Sequence, residues 1–222
     1  MISHEKKFIF IHMPRTGGTH LSEFLRPYCD EESLIFSPYQ SCGNLHATMI
    51  DYVNHYGERI LDYTLFTIIR NPWERALSHA IFHNNKTFDK EYFKKVIYEP
   101  YRHHLWPHSH FHFLVREPAM VEGERGICPG YPPAIPPIMK QVREYFYWPE
   151  FIRFENYAAD TTKIFDKLGI KYEPQQLKKR VNTTKHKHYS HYYEDDEITA
   201  IADVCGLDLQ LFEYTFKDKR KK

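Results

Sequence analysis

Apolar positions run without interruption at FIFI (residues 8–11) and dominate YTLFTII (residues 63–69), where only threonines intervene, and a third, shorter stretch stands at EFIRF (residues 150–154). Runs of this length without polar alternation predict strands buried on both faces, as in parallel sheets. The period changes to a helical one over residues 19–27, 46–57, 73–83, 88–98, 158–168 and 195–205. Met49, Ile50 and Val53 fall on one face of the second of these. Pro72 suits the opening turn of the third, and Gly169 and Gly206 read as stops of the last two. Residues 31–43, 101–137 and 182–193 show no period, and a short helix is expected over 136–147.

Strands alternating with helices, and no internal repeat, predict an α/β protein. The expected form is a three-layer fold of the P-loop type, with a central mainly parallel sheet flanked by helices. Residues 1–222 are expected to form a single domain, with an irregular lid or acceptor-side segment at about 99–137.

Composition narrows the partners. The chain carries 30 Lys+Arg against 29 Asp+Glu, a net charge of +1, which argues against nucleic-acid binding. No stretch approaches the roughly 18 apolar residues of a membrane span. No small-residue cleavage site follows FIFI, so a cytoplasmic location is expected. Cys29, Cys42, Cys128 and Cys205 have no C-x-x-C spacing and read as reduced thiols. Aromatic residues reach 16%, a level that serves a core or a ring-stacking cleft.

The first strand runs into HMPRTGGTHL, residues 12–21, and then into a helix. Such a turn aims several backbone N–H groups at one point, where the helix dipole also favours an anion. Gly17 and Gly18 permit close approach, Thr16 and Thr19 offer hydroxyls, and Arg15 brings a forked cation. An ordinary Gly-Gly turn is the plainer alternative. The Gly-Lys-Ser/Thr ending of triphosphate loops is missing, and YTLFTII ends in Arg70 where a magnesium-holding carboxylate would stand. Arg70 and Ser78 bracket the second strand's exit and could converge on a further phosphate; an ion pair and a helix-face serine are the alternative. Ligands of open α/β sheets bind at this strand edge.

These residues resemble a known family. PRTGGT is similar to the 5′-phosphosulfate loop of sulfotransferases, and IIRNPWERALSHAIF to their 3′-phosphate segment. EFIRFENYAADTTKIFDKLGI resembles their third strand and following helix, and VNTTKHKHY the loop that folds over the nucleotide. DDEITAIADVCGLDLQLFEYTF resembles the closing helix of the carbohydrate branch. The matches come in the family's order along nearly the whole chain. Arg15 stands where Lys is usual, as it does in some protein-tyrosine members, and Asn71 where Asp is common.

The resemblance implies the donor 3′-phosphoadenosine 5′-phosphosulfate (PAPS), with adenosine 3′,5′-bisphosphate as product and no metal. It implies donor contacts from Arg15, Thr16, Gly17, Gly18, Thr19, His20, Arg70, Ser78, Thr183, Thr184 and Lys185. LHATMIDY resembles the segment of uronyl 2-O-sulfotransferases whose His is the catalytic base, which points to His46 with Arg15 as the catalytic pair. An imidazole suits proton removal from a hydroxyl near neutral pH, although one His among 15 is as readily a structural residue. His20 and Glu23 are the rival bases.

His103, His104, His108, His110 and His112 crowd an irregular segment with no Asp, Glu or Cys between them, so no metal is expected there. Trp106 and His108 either line an acceptor cleft or belong to a packed loop with surface histidines. The expected activity is in-line sulfuryl transfer to a hydroxyl on a small molecule or glycan. A small-molecule kinase and a nucleotide-binding relative without turnover are the competing readings.

Overall fold

A computed structural model describes residues 1–30, 47, 49–60, 62–98, 149–178 and 186–220. His46, Trp106, His108, Thr183, Thr184 and Lys185 lie outside these, as do the expected irregular stretches 31–43 and 101–137 and the expected helix at 136–147.

The protein is α/β, with four strands in the order β1 (Ile2–Ser3), β2 (Phe8–Ile11), β3 (Thr64–Ile69) and β4 (Glu150–Arg153). The first pair is antiparallel and the other two are parallel, so the sheet is mixed but mostly parallel. β1 has no counterpart in the sequence reading, because two residues carry no period.

Alternation along β2 decides the layers. Phe8 and Phe10, with Phe66, Ile68 and Ile152, meet helices α1 (Gly18–Leu25) and α5 (Tyr157–Leu168) through Leu21, Leu25, Ile164 and Phe165. Ile9 and Ile11 point the other way and meet α2 (Met49–Tyr56) through Met49, Tyr52 and Tyr56. Each such fully buried Phe or Ile contributes roughly 1.5–3 kcal/mol, enough for these faces to fix the register.

A third cluster joins α3 (Pro72–His83) and α4 (Lys90–Tyr98) to α7 (Asp195–Val204), with Trp73, Leu77, Phe93 and Ile201 at its centre. Between α5 and α7 stand the short α6 (Pro174–Lys178) and a 3-10 turn, Tyr189–Tyr192. The turn falls within the stretch read as loop, and it places Tyr189 in the core.

Gly206 corrects the reading of the C-terminal stretch. It opens helix α8 (Gly206–Phe212) instead of closing the chain's last helix. α7 ends one residue earlier, at the kink where Cys205 takes φ −102 and ψ 16. The new axis lets Asp208 and Phe212 turn inward, and both are buried.

No helix among the described residues is long and apolar enough to cross a membrane. Cys29 and Cys205 are free thiols.

Candidate functional site

In the parallel register Ile11 pairs with Thr67 and Ile69 with Arg153, which brings the exits of β2, β3 and β4 to one edge of the sheet. The Thr67 hydroxyl donates to the Ile11 carbonyl at 2.8 Å and anchors the exit of β2. From that point residues 12–17 climb to the N-terminus of α1.

Close packing shapes this loop. A Cβ on Gly18 would sit 2.5 Å from His12 Nε2, with His12 Cδ2 closer still, so only glycine lets the helix start directly over the buried imidazole. Gly17 has φ +91, and a Cβ there would also press on the Phe154 ring at 3.2 Å. Thr16 is fully buried and its hydroxyl donates to the Met13 carbonyl at 2.9 Å, closing the turn. Thr19 is exposed.

The helix starts differ in a way that matters for anions. α3 is capped by Asn71, whose side chain accepts from the N–H groups of Trp73 and Glu74. The Asn71 amide also donates to the Thr215 carbonyl at 3.4 Å, a bond that an Asp in this position could not make. α1 has no side-chain cap and no acid in its first turn. Its first N–H groups therefore lack the side-chain acceptor that α3 supplies from within the chain.

Arg15 is the central side chain. It holds a left-handed backbone, φ 63, a conformation that costs a non-glycine residue roughly 1–2 kcal/mol. Its Nη2 donates to Ser78 Oγ at 3.1 Å, and its guanidinium lies 4.0 Å over the Phe82 ring. Its Nε is buried and has no hydrogen-bond partner among the described residues. Burial, and then the neighbouring positive charge of Arg70, lower its pKa to about 10. No carboxylate among the described residues pairs with it.

Two further guanidiniums hold the loop from the β3 side. Arg70 is buried; its Nη1 donates to the Arg15 carbonyl at 3.0 Å and its Nη2 to Glu74 at 3.1 Å. Phe154, at the exit of β4, lies 4.0 Å from the Arg70 guanidinium. Arg75 Nε donates to the Pro14 carbonyl at 2.9 Å. Burial lowers the Arg75 pKa to about 10, while the negative charge of Asp208 opposes that shift. Glu74 thus pairs with Arg70 and the Asp208 charge favours the charged form of Arg75, whereas no carboxylate among the described residues offsets Arg15.

The structure brings together Arg15, Thr16, Gly17, Gly18, Arg70 and Ser78. Ser78, expected to share a phosphate with Arg70, is bonded to Arg15. His20 is turned to α5, with Nδ1 3.3 Å from the Tyr157 hydroxyl and its ring edge-on to Phe24 at 5.1 Å. The sequence reading assigns no site role to Phe82, Phe154 or Glu155. Phe82 had a signal, since it follows Ser78 by one helical turn and must share its face. Glu155, in FENY, accepts from the Asn71 N–H at 2.9 Å and ties the exit of β4 to the start of α3.

Searches against protein-family models, curated proteins and solved structures find no match to this chain.

Proposed function

We propose that this edge binds the phosphosulfate of PAPS and that the protein is a sulfotransferase of P-loop-like fold. One observation carries the reading. Arg15 is a largely enclosed cation on a strand-to-helix loop, with an unpartnered Nε and no carboxylate beside it among the described residues. Burying such a charge is costly unless an anion completes it. The chemistry of this donor set fits a sulfate or phosphate oxygen, with Arg15 supplying the fork and the start of α1 supplying N–H groups.

In this reading Arg15 stabilises the negative charge that gathers on the bridging oxygen as the S–O bond to it breaks. The acceptor oxygen forms the new S–O bond, and its proton passes to His46, the base that the family resemblance assigns. Ser78 orients Arg15, and Arg70 braces the loop while adding charge for the 3′-phosphate. Thr183, Thr184 and Lys185 add the donor contacts that the family resemblance implies. Trp106 and His108 contribute to the acceptor side, where a glycan or small-molecule hydroxyl binds.

The first test is thermal stabilisation by adenosine 3′,5′-bisphosphate set against ATP. Stabilisation by the bisphosphate alone is expected, whereas stabilisation by ATP with magnesium in its place would favour a kinase. The second is transfer of labelled sulfate from PAPS to sugar, phenol and lipid hydroxyls. Tight bisphosphate binding with no transfer to any of them would leave a binding protein in place of an enzyme.

A further inference from the structure

The last paired residues at the exits of β3 and β4 are Ile69 and Arg153. One step on stand Arg70 and Phe154, with the Arg70 guanidinium 4.0 Å from the centre of the Phe154 ring. A step further the two chains are tied again, this time by a side chain. The Asn71 N–H donates to Glu155 Oε1 at 2.9 Å. A carboxylate oxygen thus takes the place of a backbone carbonyl and carries the pairing past the end of the sheet. Arg70 and Phe154 are bracketed between the last backbone pair and this bond.

The other oxygen of the same carboxylate is also engaged. The Tyr214 hydroxyl donates to Glu155 Oε2 at 3.0 Å. Burial, and then the Glu155 charge, push that hydroxyl well above its ordinary value, so it remains a donor. Arg153 Nη1 donates to the Phe212 carbonyl at 3.0 Å, which seats the chain after α8 against the exit of β4. Phe154 opens a 3-10 turn, Phe154–Asn156, whose start has no side-chain cap of its own. Its ring meets the loop at two places. One face carries Arg70, whose Nη1 holds the Arg15 carbonyl at 3.0 Å, and the ring also stands against Gly17.

We infer that Glu155 is a positioning residue for the loop: by joining the Asn71 N–H to the Tyr214 hydroxyl it holds Phe154 against Arg70 and Gly17, and so sets the guanidinium that braces the Arg15 carbonyl.

Nuclear magnetic resonance on the full chain tests this without any ligand. The guanidinium protons of Arg70 lie over an aromatic face, and Phe154→Leu, which removes the ring current, gives their position without it. In Glu155→Ala they should move toward that position, while the amides of Phe66 and Ile68 in β3 keep their wild-type exchange rates. Glu155→Gln still offers an oxygen to the Asn71 N–H, so its Arg70 resonances should stay near those of the wild type. Arg70 resonances that do not move in Glu155→Ala overturn the inference. So does faster exchange in β3, which would show global loosening, and so does a Gln variant that behaves like the Ala one.

A second arm rests on the anion-site reading. Glu155→Ala should weaken adenosine 3′,5′-bisphosphate about tenfold, the worth of one charge-assisted hydrogen bond. In a Phe154→Leu background the same change should cost little, because the shelf through which Glu155 acts is already gone. Equal losses in the two backgrounds, read by titration calorimetry, overturn the route through Phe154. Absence of binding by the wild type overturns the proposed donor instead, and the Arg70 resonances still decide the role of Glu155.

Discussion

Arg15 Nη2 donates to Ser78 Oγ at 3.1 Å across 63 residues of sequence, so the loop after β2 and the helix after β3 meet in one hydrogen bond. Arg15→Gln removes the cation and its fork. It should weaken adenosine 3′,5′-bisphosphate by roughly 10- to 100-fold, the range for losing a charged hydrogen bond. Arg15→Lys restores the charge but neither the planar stacking on Phe82 nor the fork, so its affinity should fall between the two. Titration calorimetry distinguishes them, and equal affinities for wild type and Arg15→Gln would remove Arg15 from the site.

Arg70→Gln loosens the brace on the Arg15 carbonyl. Adenosine 3′,5′-bisphosphate and adenosine 5′-phosphosulfate should both lose affinity, because both depend on the loop, and the bisphosphate more, because it also loses charge facing its 3′-phosphate. A loss confined to the bisphosphate, measured in the same competition assay, would instead make Arg70 a direct reader of the 3′-phosphate.

Gly18→Ala forces a methyl onto the buried His12 ring and should lower stability by about 1–3 kcal/mol in urea titration. The cost should shrink in a His12→Ala background. A penalty of the same size in both backgrounds would mean that the close approach of helix and imidazole is not its source.

Asn71→Ala removes the α3 cap and should cost about 1 kcal/mol. Asn71→Asp keeps the cap acceptor and loses the amide bond to Thr215, so its change should be the smaller of the two. The same denaturation measurement ranks them.

Burial, aided by Asp30 and opposed by the N-terminal ammonium, pushes the Cys29 thiol up to about 11. Only the thiolate reacts, so native alkylation of Cys29 should still be rising between pH 9 and about 11, read by peptide mass mapping. A plateau below pH 9 would contradict this environment. Burial, and then Asp208, with Arg75 opposing, also raise Cys205 well above its ordinary value, and being fully buried it should react more slowly than Cys29 in the same range.

The layers are legible because β2 is an unbroken apolar run, β3 is interrupted only by threonine, and their flanking helices carry clean periods. The Gly-rich loop and Arg15 were legible from residue type and from position between strand and helix. The partners of Arg15 were harder to read. The sequence marks Ser78, but as a partner of Arg70, since nothing local says which guanidinium reaches it. Arg75 donating to the Pro14 carbonyl is a long-range contact from a buried cation to a backbone oxygen, and sequence period is blind to such pairs. Gly206 misled for a local reason. Glycine after a helix usually ends it, but the kink at Cys205 lets the chain resume at once, and the burial of Asp208 and Phe212 holds the new helix in place.

Two aromatic faces fix the guanidiniums of Arg15 and Arg70, while the loop backbone is held by Arg70 and by Arg75 of α3. The loop is therefore not a portable module. Residues 12–19 transplanted alone onto another parallel sheet would carry the arginine but leave behind Phe82, Phe154, Arg70 and Arg75. Such a graft would present a mobile surface charge, with the entropy of ordering it still to be overcome at each encounter with an anion.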